Sequence, residues 1–387
     1  MKNHKSFFLL SPDITYLNHG SFGACPKTVF NEYQRWQNEL EKGPVEFLIE
    51  KGPVMLKESR AKLAKYIGCH EDDVVYTTNP SYAINIIAKS INLKNGDEVL
   101  TTDLEYGAMD RTWKYYCKQK GAFYKRQKIN LPIKSKKQIV DEIFKGFTAK
   151  TKVLFVSHIT STTGLILPVM EICQKAKELG LMTIVDGAHV PGHISLNIQN
   201  LNADIYTGAC HKWMLSPKGA SFLYVKSDLQ DQFDPLTISW GYDSDEPSKS
   251  KFIDYHQYQG TRDISAFLTV PKAIDFLANN NWTEVSRTCK KLVIANYPIL
   301  CDLLGAEPIC PLNGDFLGQM CSIPINSKNE IQLKKLLFHE YKIEIPLMRS
   351  DDQLFLRMSL QAYNDQKDVN YLIKVLKEIK SVSSLID

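Results

Sequence analysis

Between about residue 73 and residue 226, short β-rich runs alternate with longer amphipathic stretches, and this alternation restricts the fold more than any other feature of the chain. DVVYT precedes SYAINIIAKSINL, and EVLTT precedes MDRTWKYYCKQKG. VLFVSHI precedes PVMEICQKAKELG, and MTIVD, ADIYT and SFLYV follow. Strands separated by helices of this length build a mostly parallel sheet with helices on both faces, because each parallel return needs a crossover. Pro168 stands where a first helical turn would start and Gly180 where that helix would stop. Further on the pattern is mixed: MCSIPI, a helix over EIQLKKLLFHEYK, LFLRMSL, and a last helix over DVNYLIKVLKEIK. The expected architecture is α/β. It has an N-terminal segment and large domain over residues 1–282, and a smaller α+β domain over 283–387 entered by a long helix near Trp282.

Open parallel sheets gather ligands beyond the carboxyl ends of their strands. Asn79, Tyr106, Thr160 and Asp186 each follow a predicted strand. Asp186 ends one apolar run, and Lys212 comes 26 positions later, after a second run and a short turn. Taken singly, Asp186 reads as a strand-end cap and Lys212 as a solvated lysine. Together they suit pyridoxal phosphate, which needs a lysine amine to hold its aldehyde as a Schiff base. It also needs a carboxylate to keep its ring nitrogen protonated. Thr78-Asn79-Pro80-Ser81 opens a helix whose first N–H groups, with the Ser81 hydroxyl, can hold a phosphate; an ordinary cap with Pro at the first position fits the same residues. Lys218 competes for the Schiff-base role, but it precedes a glycine and a strand, as a turn lysine does.

DGAH at Asp186–His189 and HKWMLSPKGASFLYV around Lys212 resemble the class V aminotransferase group of fold-type I pyridoxal phosphate enzymes. LNHGSFGACP, EYGAMDRTW, SHITSTTGLILPV, QGTRDISAFL and EIPLMRSDDQLFLRMSLQAYN match in the same order over nearly the whole chain, most closely in the isopenicillin N epimerase-like subgroup. The resemblance implies a seven-stranded sheet and pyridoxal 5'-phosphate as cofactor. It places the cofactor phosphate on Asn79, Pro80 and Ser81 with His211 beside it, and the aromatic ring of Tyr106 flat on the pyridine. Asp186 pairs with the ring nitrogen, His189 reaches the face or the phenolic oxygen, and either Thr160 or Ser161 donates to that oxygen. Lys212 carries the cofactor and then moves protons at the substrate α-carbon. Thr261 belongs to a loop that reaches the partner chain's cofactor phosphate, so the working unit is a homodimer with shared sites. Arg357 grips the substrate carboxylate, and Asn18 and His19 lie along the substrate entrance.

The resemblance leaves the reaction open among epimerisation, β-elimination and transamination of an amino acid, with epimerisation ranked first and a C–S lyase reaction of the sulfoxide-lyase type a near second. A cysteine desulfurase needs a nucleophilic cysteine before the carboxylate-binding arginine, and IEIPLMRSDDQLFLR has none. An inactive homologue would have lost Lys212 or Asp186. A nicotinamide dehydrogenase would show G-x-G-x-x-G after an early strand, and that pattern does not occur.

Composition removes other classes. A net charge of +4 over 387 residues, without a basic block interleaved with aromatics, does not call for nucleic acid. No apolar run approaches the ~18 residues of a membrane helix, and in MKNHKSFFLLSPDITYL Asp13 and the lack of a small-residue cleavage site argue against a signal peptide. Nine cysteines scattered without a C-x-x-C pair fit reduced thiols in a cytoplasmic protein. His189 and His193 have a metal-like spacing, but Pro191 and Gly192 between them break a helical face, so no metal is expected.

Overall fold

A computed structural model describes residues 4–312, 316–383 and 385–386. The chain opens with β1 (Thr15–Tyr16), α1 (His19–Phe22), α2 (Lys27–Lys42) and α3 (Gly52–Ile67). The alternating region follows as β2 (Val74–Thr77), α4 (Pro80–Ser90), β3 (Glu98–Thr102), α5 (Gly107–Lys120), β4 (Phe123–Gln127), α6 (Lys136–Phe144), β5 (Thr151–Ser157), α7 (Val169–Glu178), β6 (Met182–Asp186), α8 (Ile198–Leu201), β7 (Ile205–Ala209) and β8 (Ser221–Val225). Their order across one seven-stranded sheet is β2-β8-β7-β6-β5-β3-β4. Only β8 runs against the others: it is antiparallel to β7, and β2 is antiparallel to β8.

Local chemistry starts and stops these helices where the sequence indicates. Pro168 is the residue before α7, and Gly180 just beyond it takes a φ of 71°. Asn79 caps α4, its side-chain oxygen accepting the Tyr82 N–H at 2.8 Å, with Pro80 at the first helical position. Both faces of the sheet are covered, so its strands are apolar on both sides. Val153 and Phe155 of β5 pack with α4 and α5, while Leu154 and Val156 face the larger core on the other side. Truncating a side chain such as the fully buried Phe155 to alanine costs about 3–5 kcal/mol.

After α9 (Lys251–Gln257), α10 (Ser265–Leu268) and α11 (Val270–Asn279), the long α12 (Trp282–Leu303) leads into the C-terminal part. There follow β9 (Met320–Pro324), α13 (Glu330–His339), β10 (Ile343–Glu344), β11 (Leu347–Ser350), β12 (Gln353–Ser359) and α14 (Gln366–Val382), of which three strands form an antiparallel sheet ordered β11-β12-β9. The N-terminal segment crosses to this part. Thr15 of β1 pairs with Ile343 of β10, and the Ser359 N–H donates to the Leu17 carbonyl at 2.9 Å. Residues 15–20, grouped with the large domain by sequence, are therefore hydrogen-bonded to the C-terminal sheet, which brings α1 over the ends of the parallel strands.

Candidate active site

A cavity of about 440 Å³ lies beyond the carboxyl ends of β2, β3, β5 and β6. Asn79, Pro80 and Ser81 open α4 at its edge, and Tyr106 stands before α5 with its side chain 45% exposed. Asp186 ends β6, and His189, His211 and Lys212 come from the loops after β6 and β7. Ser21 and Phe22 of α1, Met348 of β11 and Arg357 of β12 close the other side. Residues distant in sequence meet here because the parallel strands all end on the same side.

Lys212 sits in a tight turn in which the Ser216 N–H donates to the Cys210 carbonyl at 3.0 Å. Leu215 in that turn is fully buried with a φ of 65°, a left-handed conformation that costs a non-glycine residue about 1–2 kcal/mol. Gly23, at a φ of 69°, packs against the turn, where a side chain would collide with the His211 carbonyl oxygen. Burial pulls the Lys212 amine down to about 8 despite the opposing pull of Asp186, and Arg357 adds to the lowering. Asp186 is 3% exposed, and its Oδ1 accepts the Ala188 N–H at 2.9 Å. Burial raises this carboxyl, while the Ala188 N–H and Lys212 oppose the rise. His189 Nε2 lies 3.2 Å from Lys212 Nζ, and burial holds the ring neutral.

Arg357 is 2% exposed, and none of its hydrogen bonds goes to a carboxylate. Nη1 donates to the Ser161 carbonyl at 2.7 Å and to Ser161 Oγ at 3.3 Å, Nη2 donates to Ser21 Oγ at 2.7 Å, and Nε has no partner. Burial without an anion lowers the guanidinium to about 10. Ser21 in turn donates to Asn18 Oδ1 at 2.5 Å, so Asn18 orients Arg357 at one remove and does not itself line the cavity.

Four other positions lie elsewhere. The Thr160 hydroxyl bonds to Thr163 at 2.6 Å and accepts the Leu165 N–H at 2.9 Å, which leaves Ser161 as the member of that pair facing the cavity. His19 is fully buried between Tyr363, at 2.8 Å, and the Lys212 carbonyl, at 3.2 Å. Lys218 donates to the Gly23 carbonyl at 3.1 Å and does not line the cavity. Thr261 is exposed, outside the cavity of its own chain, beside a Gly260 with a φ of 93°. His193, the second half of the metal-like spacing, receives the Gln319 N–H on Nε2 at 2.6 Å. Among the described residues no group of three or more His, Cys, Asp or Glu could hold a metal.

The sequence reading missed Glu105. It is 6% exposed and accepts from Thr102 Oγ1 and Ser157 Oγ, each at 2.6 Å. Ser157 is the β5 partner of Asp186, so Thr102, Glu105, Ser157 and Asp186 form a polar row across the ends of three adjacent strands. Burial, with Asp186 and Asp110 nearby, pushes Glu105 up to about 8. The only sequence signal for it was a carboxylate next to Tyr106 at a strand end.

This arrangement accommodates pyridoxal phosphate. Lys212 supplies a reactive amine, Asp186 a buried carboxylate, and the start of α4 a hydrogen-bonding cradle. Arg357 has an unmet demand for an anion. The class V aminotransferase family model matches residues 29–372. The chain is 32% identical to an isopenicillin N epimerase of Amycolatopsis lactamdurans over 96% of both chains. It is 23% identical to a hercynylcysteine sulfoxide lyase of Schizosaccharomyces pombe, covering 99% of this chain and 97% of that one. The apo structure of a cysteine desulfurase from Thermococcus onnurineus superposes over 99% of both chains with a TM-score of 0.84 at 21% identity, a likeness of fold. The chain belongs to the class V aminotransferase family, whose cofactor is pyridoxal phosphate.

Proposed function

We propose that this protein acts at the α-carbon of an amino acid or amino-acid-derived substrate, with epimerisation as the first reading. The observation that carries it is Arg357, a buried guanidinium without a carboxylate partner that lines the same cavity as Lys212 and Asp186. A planar guanidinium grips a carboxylate in bidentate fashion, fixing the orientation of an incoming amino acid as well as adding affinity. When bound, pyridoxal phosphate supplies an electron sink that makes the α-proton of an attached amino acid acidic. Asp186 would hold a proton at the ring nitrogen, and Lys212 would remove and return a proton at the α-carbon. Ser81 and the first turn of α4, with His211, would hold the phosphate, and Tyr106 would supply an aromatic ring for the pyridine to pack on. Ser161 keeps Arg357 aimed into the cavity through its carbonyl.

The second reading is β-elimination of a sulfur-bearing substituent, favoured by end-to-end similarity to a C–S lyase. The cavity lining disfavours desulfurase chemistry: no cysteine is among the residues that line it, and the β11–β12 hairpin occupies the stretch before Arg357. Exposed Thr261, outside its own chain's cavity, fits a contribution to the site of a second copy. Nine unpaired cysteines fit a reducing, cytoplasmic setting. No described helix is long and apolar enough to cross a membrane. The test is incubation of the loaded protein with candidate amino acids in deuterium oxide. Deuterium at the α-carbon of recovered amino acid supports epimerisation, and release of pyruvate and ammonia supports elimination. Neither outcome with any amino acid overturns the proposal.

A further inference from the structure

A neutral histidine donates from one ring nitrogen and accepts at the other, and which does which is fixed by its neighbours. At His189 the neighbour that decides is Trp213. An indole Nε1–H is a donor only, and that of Trp213 points to His189 Nδ1 at 3.3 Å. Nδ1 therefore accepts, and in the neutral ring the proton must be on Nε2. Nε2 faces Lys212 Nζ at 3.2 Å and donates to that amine once it is uncharged, above about pH 8.

Trp213 is held to this task from several sides. It is fully buried, its ring stacks on His193 with centroids 4.0 Å apart, and His19 lies at 4.8 Å. His193 has its own tautomer determined: Nε2 accepts the Gln319 N–H at 2.6 Å, which leaves Nδ1–H to donate to the His189 carbonyl at 3.0 Å. Buried His19 and His193 thus serve as walls for the indole.

We infer that Trp213 is a positioning residue whose indole N–H locks His189 as an Nε2–H donor, so that His189 presents a donor to the phenolic oxygen of the cofactor. The identity of that acceptor rests on the cofactor reading above; the tautomer itself is a property of the chain alone. An acceptor at this place would repel a phenolate, whereas a donor stabilises it.

The test is nitrogen-15 NMR of histidine-labelled, cofactor-free protein, with the His189 signals identified by their loss in His189→Gln. Above pH about 8, where the Lys212 amine is uncharged, the wild type is expected to show Nε2 protonated and Nδ1 bare, a result that needs no variant at position 213. Trp213→Phe keeps a ring for the stack but loses the N–H, and is expected to populate the Nδ1–H form. In loaded protein, the visible absorbance titration of the lysine-linked cofactor should move to higher pH by about one unit, a tenfold change in proton affinity. In the His189→Gln background, where the amide offers a donor without a tautomer, Trp213→Phe should cause no further shift. A wild-type ring protonated on Nδ1, or a titration that Trp213→Phe leaves unmoved, overturns the inference. Cofactor attachment away from Lys212 would defeat the cofactor reading and leave the NMR result standing.

Discussion

Arg357 of the C-terminal sheet donates a 2.7 Å hydrogen bond to the main-chain oxygen of Ser161, in the loop after β5 of the parallel sheet. One guanidinium thus ties the two parts of the molecule together and also lines the cavity between them. Arg357→Ala is expected to lower kcat/KM for an amino acid substrate by ~10²-fold, the worth of a charge-assisted pair, with cofactor retention unchanged. Arg357→Lys should recover only part of this, because it restores charge without the fork. Steady-state kinetics with an absorbance measurement of bound cofactor would check both, and normal turnover in the alanine variant would place the carboxylate elsewhere.

Lys212 should be the attachment point. Borohydride reduction of the loaded protein, followed by peptide mapping, is expected to find the cofactor on the peptide containing Lys212 and not on Lys218. Only the uncharged amine attacks an aldehyde, and this amine loses its proton near about 8. The rate of cofactor capture by apoprotein should therefore fall about tenfold per pH unit below that value and level off above it.

Asp186→Ala is expected to retain cofactor but to slow α-proton exchange by ~10³-fold, because the ring nitrogen loses the group that keeps it protonated. Exchange of solvent deuterium into the amino acid measures this step directly. A loss of only a few-fold would assign the ring nitrogen to another residue.

Glu105 predicts a pH dependence of stability. Its carboxyl is raised from 4.5 to about 8 in the folded protein, chiefly by burial. A group raised in this way contributes stability that is fully present below the unfolded value and is lost as pH rises through the folded one. Glu105→Gln removes the titration, so the melting temperature of the variant should gain on that of wild type between pH about 5 and about 9. A constant difference across that range would show Glu105 ionised throughout.

Thr261 and Lys212 should serve the same site from different chains. Thr261→Ala alone should weaken cofactor retention, and Lys212→Ala alone should abolish turnover. A mixed dimer of the two keeps one site with neither defect, so activity should partly return. No recovery after verified subunit exchange would put both residues on one chain.

The sheet, the crossover helices and the pairing of Asp186 with Lys212 were legible in the sequence. Strand periodicity, helix stops such as Gly180 and an acid at a strand end are local signals that survive without knowledge of neighbours. What β1 does was not legible: a two-residue strand carries no periodicity, and its pairing with β10 joins residues more than three hundred positions apart. The fates of His19, Thr160 and Glu105 were equally hidden. A polar residue in a motif can face a cavity or bond to its neighbours, and only packing selects between them. Tertiary structure turned the His19 ring into a wall for Trp213 and tied Thr160 into its own turn. It also buried Glu105 beside Asp186, where two carboxyls cannot both be ionised cheaply. The sequence by itself thus determined the fold class and singled out Asp186 and Lys212, which the folded chain places in one cavity, because these depend on residue type and order. Which nitrogen, hydroxyl or carboxyl is presented to a ligand was decided only by the folded chain, because hydrogen-bond partners and burial are properties of neighbours in space.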